Sequence, residues 1–198
     1  MTSSKITSTA NDIIELYQRH GGNEYAGEKI TQLEHMLQSG SLAKQGGYDE
    51  EIILAAFLHD VGHICVAAYA GNTMGDFGIA NHEKIGAQFL RKRGFSERIA
   101  RLVENHVSAK RYLTFKYPEY REGLSVASKK TLEYQGGPMN PDEAVLYEQD
   151  ELFESFIAMR RWDEAAKLEF HQTGLTLDYF RELIIHHLEN KNNLVISF

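Results

Sequence analysis

The feature that most constrains this chain is an apolar segment, residues 52–58, that runs directly into His59 and Asp60. An apolar run of this length predicts a buried element, here a helix that delivers the pair into the protein interior. An ionised aspartate in that position needs a partner, because an isolated buried charge is very costly. Histidine beside aspartate is a ligand mixture that hard and borderline divalent metals prefer. The segment therefore predicts a metal site inside the fold.

Further histidines and one more aspartate extend this pair into a candidate ligand set. The set consists of His35, His59, Asp60, His82, His106 and Asp163. Four histidines and two aspartates are more ligands than one metal needs, and a carboxylate flanked by imidazoles can bridge two cations, one oxygen to each. For the dipeptide alone, the alternative is a helix end where Asp60 and His63 meet solvent. The full set disfavours that alternative and predicts two metals.

Helical periodicity runs through most of the chain, and the three prolines all lie in the second half, so the first half lacks the strongest helix breaker. Asp49 and Ser96 are predicted N-caps, and Gly46, Gly47 and Gly94 are predicted helix stops. No alternating strand pattern bounded by turn pairs is present in the sequence, so we expect an all-α helical bundle. Helices are predicted at residues 10–20, 28–45, 49–65, 82–93, 96–113, 125–135, 141–158, 160–170 and 176–190.

Length and composition limit the partners and the compartment. The 198 residues suffice for one domain with a sizeable core, and we expect residues 1–198 to form it. The formal net charge of -7 argues against nucleic acid as a main partner. The single cysteine, Cys65, fits a reducing compartment, and the polar N-terminus lacks the apolar core of a secretory signal. The apolar runs are far shorter than the roughly 20 residues of a membrane span. We therefore expect a cytoplasmic protein without membrane attachment.

Polar residues precede His35 at helical spacing. Glu28, Gln32 and His35 would share one helical face, with Tyr25 one turn earlier. One interpretation makes residues 25–28 a polar lid over a metal bound by His35. The other, favoured for Glu28 taken alone, is an amphipathic helix with a solvated Glu28.

Two other ligands have charged neighbours on their predicted helices. Lys110 follows His106 by four residues, and a lysine next to a metal calls for an anion such as a substrate phosphate; a surface lysine is the alternative. Arg160 precedes Asp163 by three residues and either holds a metal-binding carboxylate or forms a surface ion pair worth a few tenths of a kcal/mol.

His82 follows a glycine-rich segment, residues 71–81, that has little apolar periodicity and is predicted to be a loop bordering a site. Taken as a single residue, His82 is more typical of an exposed helix start than of a ligand.

The order His35, His59-Asp60, Asp163 resembles the H…HD…D signature of the HD-domain superfamily, whose members are all-α metal-dependent proteins and mostly phosphohydrolases. The additional histidines, His82 and His106, have the same spacing as His35 and His59 and resemble the dinuclear branch with its mixed-valent diiron oxygenases. Several blocks are similar to phosphonate-cleaving dioxygenases of that branch, at residues 25–28, 32–35, 58–60, 62–63, 82–84, 109–113 and 130–139.

The resemblance implies two iron ions in the mixed-valent Fe(II)/Fe(III) state, with O2 as co-substrate. The implied iron ligands are His35, His59, Asp60, His82, His106 and Asp163, with Asp60 bridging.

It also implies roles for the neighbouring side chains. Tyr25 would occupy an iron until substrate arrives, and Glu28 would help to move it. The side chains implied to hold or adjoin the phosphonate substrate are Gln32, His63, Lys110 and Ser128. The residues implied to be catalytic are Tyr25, Glu28 and Lys110.

The implied reaction is oxidative cleavage of the C–P bond of 1-hydroxy-2-(trimethylammonio)ethylphosphonate or 1-hydroxy-2-aminoethylphosphonate, releasing phosphate and glycine betaine or glycine. Residues 64–70 are apolar with one aromatic and no charge, which favours the trimethylammonium substrate, although core packing explains them as well. The alternative function is an HD-type phosphohydrolase of a nucleotide or phosphomonoester, which needs neither redox iron nor Tyr25. A metal-stabilised binding domain without turnover is the third interpretation, and it leaves Lys110, Ser128 and Tyr25 without a purpose.

Overall fold

The computed structural model describes residues 1–25, 27–66, 71–169 and 171–196, with side chains up to residue 193. Its helices are α1 (Ser3–His20), α2 (Gln32–Gln45), α3 (Glu50–Leu58), α4 (His82–Lys92), α5 (Glu97–Lys116), α6 (Pro118–Gly123), α7 (Val126–Tyr134), α8 (Pro141–Glu148), α9 (Phe153–Ala165) and α10 (Leu177–Ile196). In these ranges the only extended pairings are two isolated bridges, so the all-α prediction is confirmed. None of the described helices is both long enough and apolar enough to span a bilayer.

Several predicted helix ends are confirmed. Asp49 and Ser96 each accept a hydrogen bond from the backbone N–H three residues further on, at 3.1 and 3.2 Å, and so begin α3 and α5. Gly46 ends α2, while Gly47 and Gly94 adopt positive φ angles of 73° and 87° just beyond their helices. Glycine reaches this left-handed region at little cost, which explains why the chain turns there.

The apolar segment of residues 52–58 forms the centre of the core. Every residue of α3 from Ile52 to Leu58 is buried. The Phe57 ring stacks on Phe180 of α10 at a centroid distance of 3.9 Å, and the Tyr17 hydroxyl of α1 donates to the Phe57 carbonyl at 3.1 Å. These contacts anchor α3 on both sides, so the end of α3 is fixed in the interior.

The predicted helix over 49–65 is wrong in its second half. α3 ends at Leu58, and a short 3-10 turn, Val61–His63, follows. At Gly62 the backbone of α4 approaches so closely that a Cβ atom would lie 1.9 Å from the His82 carbonyl oxygen. Only glycine fits at this close approach. The chain turns here and brings His63 towards α4.

The predicted helix over 28–45 begins too early. α2 starts at Gln32, because Thr31 and Glu34 form a capping box in which Glu34 accepts from the Thr31 N–H at 2.7 Å. Glu28 precedes the helix, in a segment where the backbone pairs Glu24 with Thr31. The proposed helical stripe of Glu28, Gln32 and His35 therefore does not exist.

The boundary near residue 160 is also wrong. The predicted helices 141–158 and 160–170 are replaced by α8 and α9, which meet at a turn over residues 149–152. The Asp150 carboxylate accepts from the Leu152 N–H at 2.9 Å and from Arg101 of α5 at 2.7 Å, which fixes the turn on α5. Arg160 and Asp163 consequently share α9. Two further differences are that α1 begins at Ser3 and that an additional short helix, α6, begins at Pro118. Proline suits the first position of a helix.

Candidate metal centre and adjoining cavity

Six side chains predicted as metal ligands meet at one point in the interior, although five separate parts of the fold supply them. α2 supplies His35, the end of α3 supplies His59 and Asp60, the start of α4 supplies His82, α5 supplies His106 and α9 supplies Asp163. Each of the six is at most 4% exposed. The structure therefore brings the whole predicted set together.

Backbone carbonyls orient the four imidazole rings. Each Nδ1 atom lies near one carbonyl oxygen: Ala166 for His35 (2.8 Å), Ala56 for His59 (2.8 Å), Ile79 for His82 (3.1 Å) and Val103 for His106 (2.7 Å). A carbonyl oxygen only accepts, so each Nδ1 carries the proton. Each Nε2 atom then presents a lone pair to the centre, which is how metal-binding histidines are commonly held.

The four Nε2 atoms form two close pairs. His35 and His59 place theirs 3.1 Å apart, and His82 and His106 place theirs 3.0 Å apart. Two nitrogens that each lie about 2.1 Å from one cation at a right angle are separated by about 3.0 Å. Facing lone pairs repel without a cation between them. The two pairs thus fit two cation positions.

Asp60 lies between the two histidine pairs. Its Oδ1 is 3.3 Å from Nε2 of both His82 and His106, and its Oδ2 is 3.4 Å from Nε2 of His59 and 3.7 Å from that of His35. Within the described ranges, the buried Oδ1 has no hydrogen-bond donor. A buried carboxylate oxygen without a donor is costly, and a cation would compensate it. This position fits a carboxylate that bridges two cations.

Asp163 completes the first position. Its Oδ1 is 3.6 Å from Nε2 of His35, and its Oδ2 accepts from the Arg160 guanidinium. Burial opposes ionisation, but the Arg160 charge holds the pKa of Asp163 well below its usual range. Arg160 is itself buried and donates from Nε to the Tyr120 hydroxyl at 2.8 Å. The interpretation of this pair as a surface ion pair is therefore wrong.

His63 lies near the second position but is not suited to be a ligand. By proximity alone, Asp60, His63 and His82 form a possible metal-binding group. However, the Ile79 N–H donates to the Nδ1 of His63 at 3.0 Å, so the neutral ring carries its proton on Nε2. His63 is thus a hydrogen-bond donor, and the lone pair of His106 is the better third ligand beside Asp60 and His82.

Tyr25 covers the first position. Its ring stacks on the His35 ring at a centroid distance of 3.9 Å, and its hydroxyl lies 3.4 Å from Asp163 Oδ1. Burial, and then the negative charge of Asp163, raise the pKa of this hydroxyl well above its ordinary value. The phenol oxygen therefore lies beside a candidate ligand oxygen and needs a cation if it is to ionise.

Glu28 lines the cavity, and its side chain is only 17% exposed. Its Oε1 accepts from the Ser125 hydroxyl at 2.7 Å and lies 3.2 Å from the Lys167 ammonium. The interpretation of Glu28 as an exposed helix residue is therefore wrong, while its position in a polar segment beside Tyr25 agrees with the lid interpretation.

A small cavity of about 50 Å³ adjoins the second position, with His63, Lys110 and Ser128 in its wall. The Lys110 ammonium is buried and donates to the Thr131 hydroxyl at 2.9 Å. Burial, and then the charge of Arg160, lower the pKa of Lys110 to about 7. The cavity wall therefore offers an ammonium, an imidazole N–H and a hydroxyl.

The remaining expectations have mixed outcomes. Gln32 is buried at the start of α2, but its side chain is not part of the cavity wall. The segment over residues 71–81 does border the site, because Met74 and Phe77 line the cavity. The apolar stretch 64–70 is only partly described: Ile64 is buried, and residues 67–70 lie outside the described ranges.

Other residues of the wall were not predicted from the sequence, among them Thr131 and Lys167. Thr131 lies three residues after Ser128 on α7, so helical spacing was a usable signal. Lys167 lies just beyond the end of α9, in a stretch where no periodicity indicates which way a side chain points.

The HD domain family matches residues 32–152. The chain is 44% identical over 191 residues to an uncharacterised protein of Acanthamoeba polyphaga mimivirus, covering 96% of this chain and 87% of that protein.

Two further relatives have named activities. One is a [1-hydroxy-2-(trimethylamino)ethyl]phosphonate dioxygenase (glycine-betaine-forming) of Leisingera caerulea, 42% identical over 77% of this chain and 76% of that protein. The other is a hydroxymethylphosphonate dioxygenase of Gimesia maris, 38% identical over 79% of this chain and 77% of that protein.

The helical fold and the buried histidine–aspartate site define a member of the HD-domain family, and the chain belongs to it. Within that family it groups with the phosphonate dioxygenases.

Proposed function

We propose that this protein uses iron and O2 to cleave the C–P bond of a small 1-hydroxyphosphonate, releasing phosphate and a carboxylate. The observation that supports this most strongly is the position of Asp60 between two histidine pairs, directly beside a cavity whose wall carries the buried Lys110. The relatives named as phosphonate dioxygenases support the same reaction class.

The atoms of the proposed reaction balance with O2 alone. The C1–H and C–P bonds break, C1 is oxidised to a carboxylate, and phosphorus leaves as phosphate. The six product oxygens are accounted for by the three phosphonate oxygens, the C1 hydroxyl and both atoms of O2. Two irons bound by His35, His59, Asp60, His82, His106 and Asp163 would supply the redox chemistry, which Zn²⁺ or Mg²⁺ cannot.

The side chains of the cavity would bind and orient the phosphonate. The Lys110 ammonium, the Nε2–H of His63 and the Ser128 hydroxyl are donors among the lining residues, and a dianionic group needs several donors when it is buried. The phosphonate would raise the lowered pKa of Lys110, so substrate binding favours the charged ammonium.

Tyr25 would act as a gate at the first position. Its ring on His35 and its hydroxyl beside Asp163 place it where it would exclude water from a metal before substrate arrives. Glu28, three residues further on, accepts from the Ser125 hydroxyl and would hold this gate in place.

Among small 1-hydroxyphosphonates, we propose the trimethylammonio compound as the preferred substrate over the 2-amino compound. Met74 and Phe77 give the cavity an apolar and aromatic surface, which suits a quaternary ammonium. The carboxylate of Glu28 is already engaged by Lys167 and Ser125 and is thus a poor partner for a primary ammonium. The proposed products are glycine betaine and phosphate.

The test is phosphate release from the two phosphonates by iron-loaded protein, with and without O2. We expect release only with O2 and faster turnover of the trimethylammonio compound. Equal release under strict anaerobiosis would show hydrolytic cleavage of the C–P bond instead of oxidation. A large preference for the primary amine would contradict the substrate proposal alone.

A further inference from the structure

The His35 ring is oriented differently from the other three imidazole rings of the centre. The rings of His59, His82 and His106 are each held by the carbonyl of the residue three positions earlier in the chain. The carbonyl that holds His35 belongs to Ala166, which is 131 residues away. The local backbone therefore orients three of the rings, whereas the orientation of His35 depends on how the chain around Ala166 packs against α2.

Gln38 fixes that packing. It lies one turn after His35 on α2 and is 2% exposed. Its Nε2–H donates to the Leu168 carbonyl at 2.9 Å, and its Oε1 accepts from the Leu168 N–H at 3.0 Å. Two hydrogen bonds from one amide to one backbone residue fix both the distance and the angle between α2 and this part of the chain. The Ala166 carbonyl, two residues before Leu168, is thereby held at the His35 ring.

The same contact connects the two outer ligands of the first cation position. Asp163 lies in the last turn of α9, which ends where the Ala166 N–H donates to the Trp162 carbonyl at 2.8 Å. Residues 166–168 therefore continue directly from the helix that carries Asp163, and Gln38 ties them to the helix that carries His35.

The ligands of the second position are on other elements. His82 begins α4 and His106 lies on α5, and each ring has its local carbonyl. A change at Gln38 should therefore reach the first position and not the second.

We propose that Gln38 is a positioning residue for the first cation position, which it serves through the Ala166 carbonyl and the His35 ring. This proposal rests on the proposed function in that two cations bind at the centre. Both polar atoms of the Gln38 amide are used by Leu168, so Gln38 is not itself a ligand. Without Gln38, the Nδ1–H of His35 loses its fixed acceptor. The ring can then turn, or carry its proton on Nε2, and either change removes the lone pair that a cation needs.

The experiment measures two dissociation constants for Fe(II), by anaerobic equilibrium dialysis of metal-free protein with iron counted per chain. Gln38→Met should raise one constant roughly 10- to 100-fold and leave the other unchanged, because loss of a partner that orients a ligand has an effect of this size. Gln45→Met is the matched control. Gln45 is an exposed amide on the same helix whose Nε2 donates to the Ser41 hydroxyl at 3.1 Å, and its loss should change neither constant.

Ligand variants show which position is affected. In the His106→Ala background, where the second position lacks a ligand, Gln38→Met should weaken the remaining site by the same factor. In the His35→Ala background it should have no further effect. If circular dichroism shows that Gln38→Met does not fold, Gln38→Asn replaces it with the same expected results, because its amide is one methylene too short to hold Leu168 at both atoms.

Equal weakening of both sites, further weakening in the His35→Ala background, or two unchanged constants would overturn the role of Gln38 and leave the proposed function standing. Binding of fewer than two Fe(II) by the wild-type chain would refute the two-cation centre, and this proposal with it.

Discussion

Replacing Lys110 by methionine should weaken substrate binding, leave the iron in place and stabilise the fold. Methionine preserves much of the side-chain length and apolar volume but removes the ammonium. A hydrogen bond to a charged group contributes about 1.5–3 kcal/mol, which corresponds to a KM raised roughly 10- to 150-fold. Iron should remain because the ammonium donates to Thr131 and is not among the ligand atoms.

The stability effect follows from the pKa of Lys110. Burial, and then Arg160, lower this pKa from 10.5 to about 7, so the folded chain holds a proton less tightly than the unfolded chain. The unfolded state binds more protons between these two values, and the cost of the buried lysine is therefore complete below pH about 7 and fades as the pH rises towards 10.5. At 1.36 kcal/mol per pKa unit, removing it stabilises the unliganded fold by at most ~5 kcal/mol.

The assays are KM for the phosphonate, iron content by mass spectrometry, and thermal unfolding across pH. Lys116→Met is a matched control, because Lys116 lies on the same helix, is exposed and pairs with Glu148. It should change none of the three quantities by much. Iron loss in Lys110→Met equal to that of a ligand variant, or an unchanged KM, would refute the division between metal ligands and phosphonate donors.

Further variants test the ligand set and the substrate preference. His59→Ala and Asp60→Ala should each lose bound iron, measured as iron per chain. His186→Ala should retain iron, because His186 is an exposed histidine paired with Glu50. Retention of iron in all three variants would contradict the ligand assignment. Phe77→Ala should raise KM for the trimethylammonio compound roughly 2- to 30-fold relative to the amino compound, because a cation–π contact of about 0.5–2 kcal/mol is lost. An equal change for both substrates would place Phe77 outside the recognition of the ammonium group.

The ligand set could be predicted from the sequence because its members are chemically distinctive and adjoin strong local signals. The apolar run 52–58 predicts that His59 and Asp60 are buried, and the spacing of His106 and Lys110 places both on one face of α5. Both expectations agree with the structure.

Other expectations failed where tertiary contacts or caps override periodicity. The helix predicted over 49–65 ends at Leu58, before the turn at Gly62 where the backbone of α4 approaches. The early start predicted for α2 overlooked the Thr31–Glu34 capping box, which is a visible sequence signal.

Lys167 could not have been predicted in the same way. Its position depends on contacts made by its two neighbours in the chain. The Leu168 carbonyl accepts from the Gln38 side chain, which lies 130 residues earlier, and the Ala166 carbonyl accepts from the His35 ring. Such long-range pairings leave no periodic pattern near residue 167. The place of Lys167 in the cavity wall therefore emerges only from the structure.

The central claim is that O2 is consumed in breaking the C–P bond at this site. The most direct measurement is the ratio of O2 consumed to phosphate released, with the trimethylammonio phosphonate and iron-loaded protein in an oxygen electrode. One O2 per phosphate is the predicted result, with no release from the Asp60→Ala variant. Phosphate release without O2 consumption would contradict the claim.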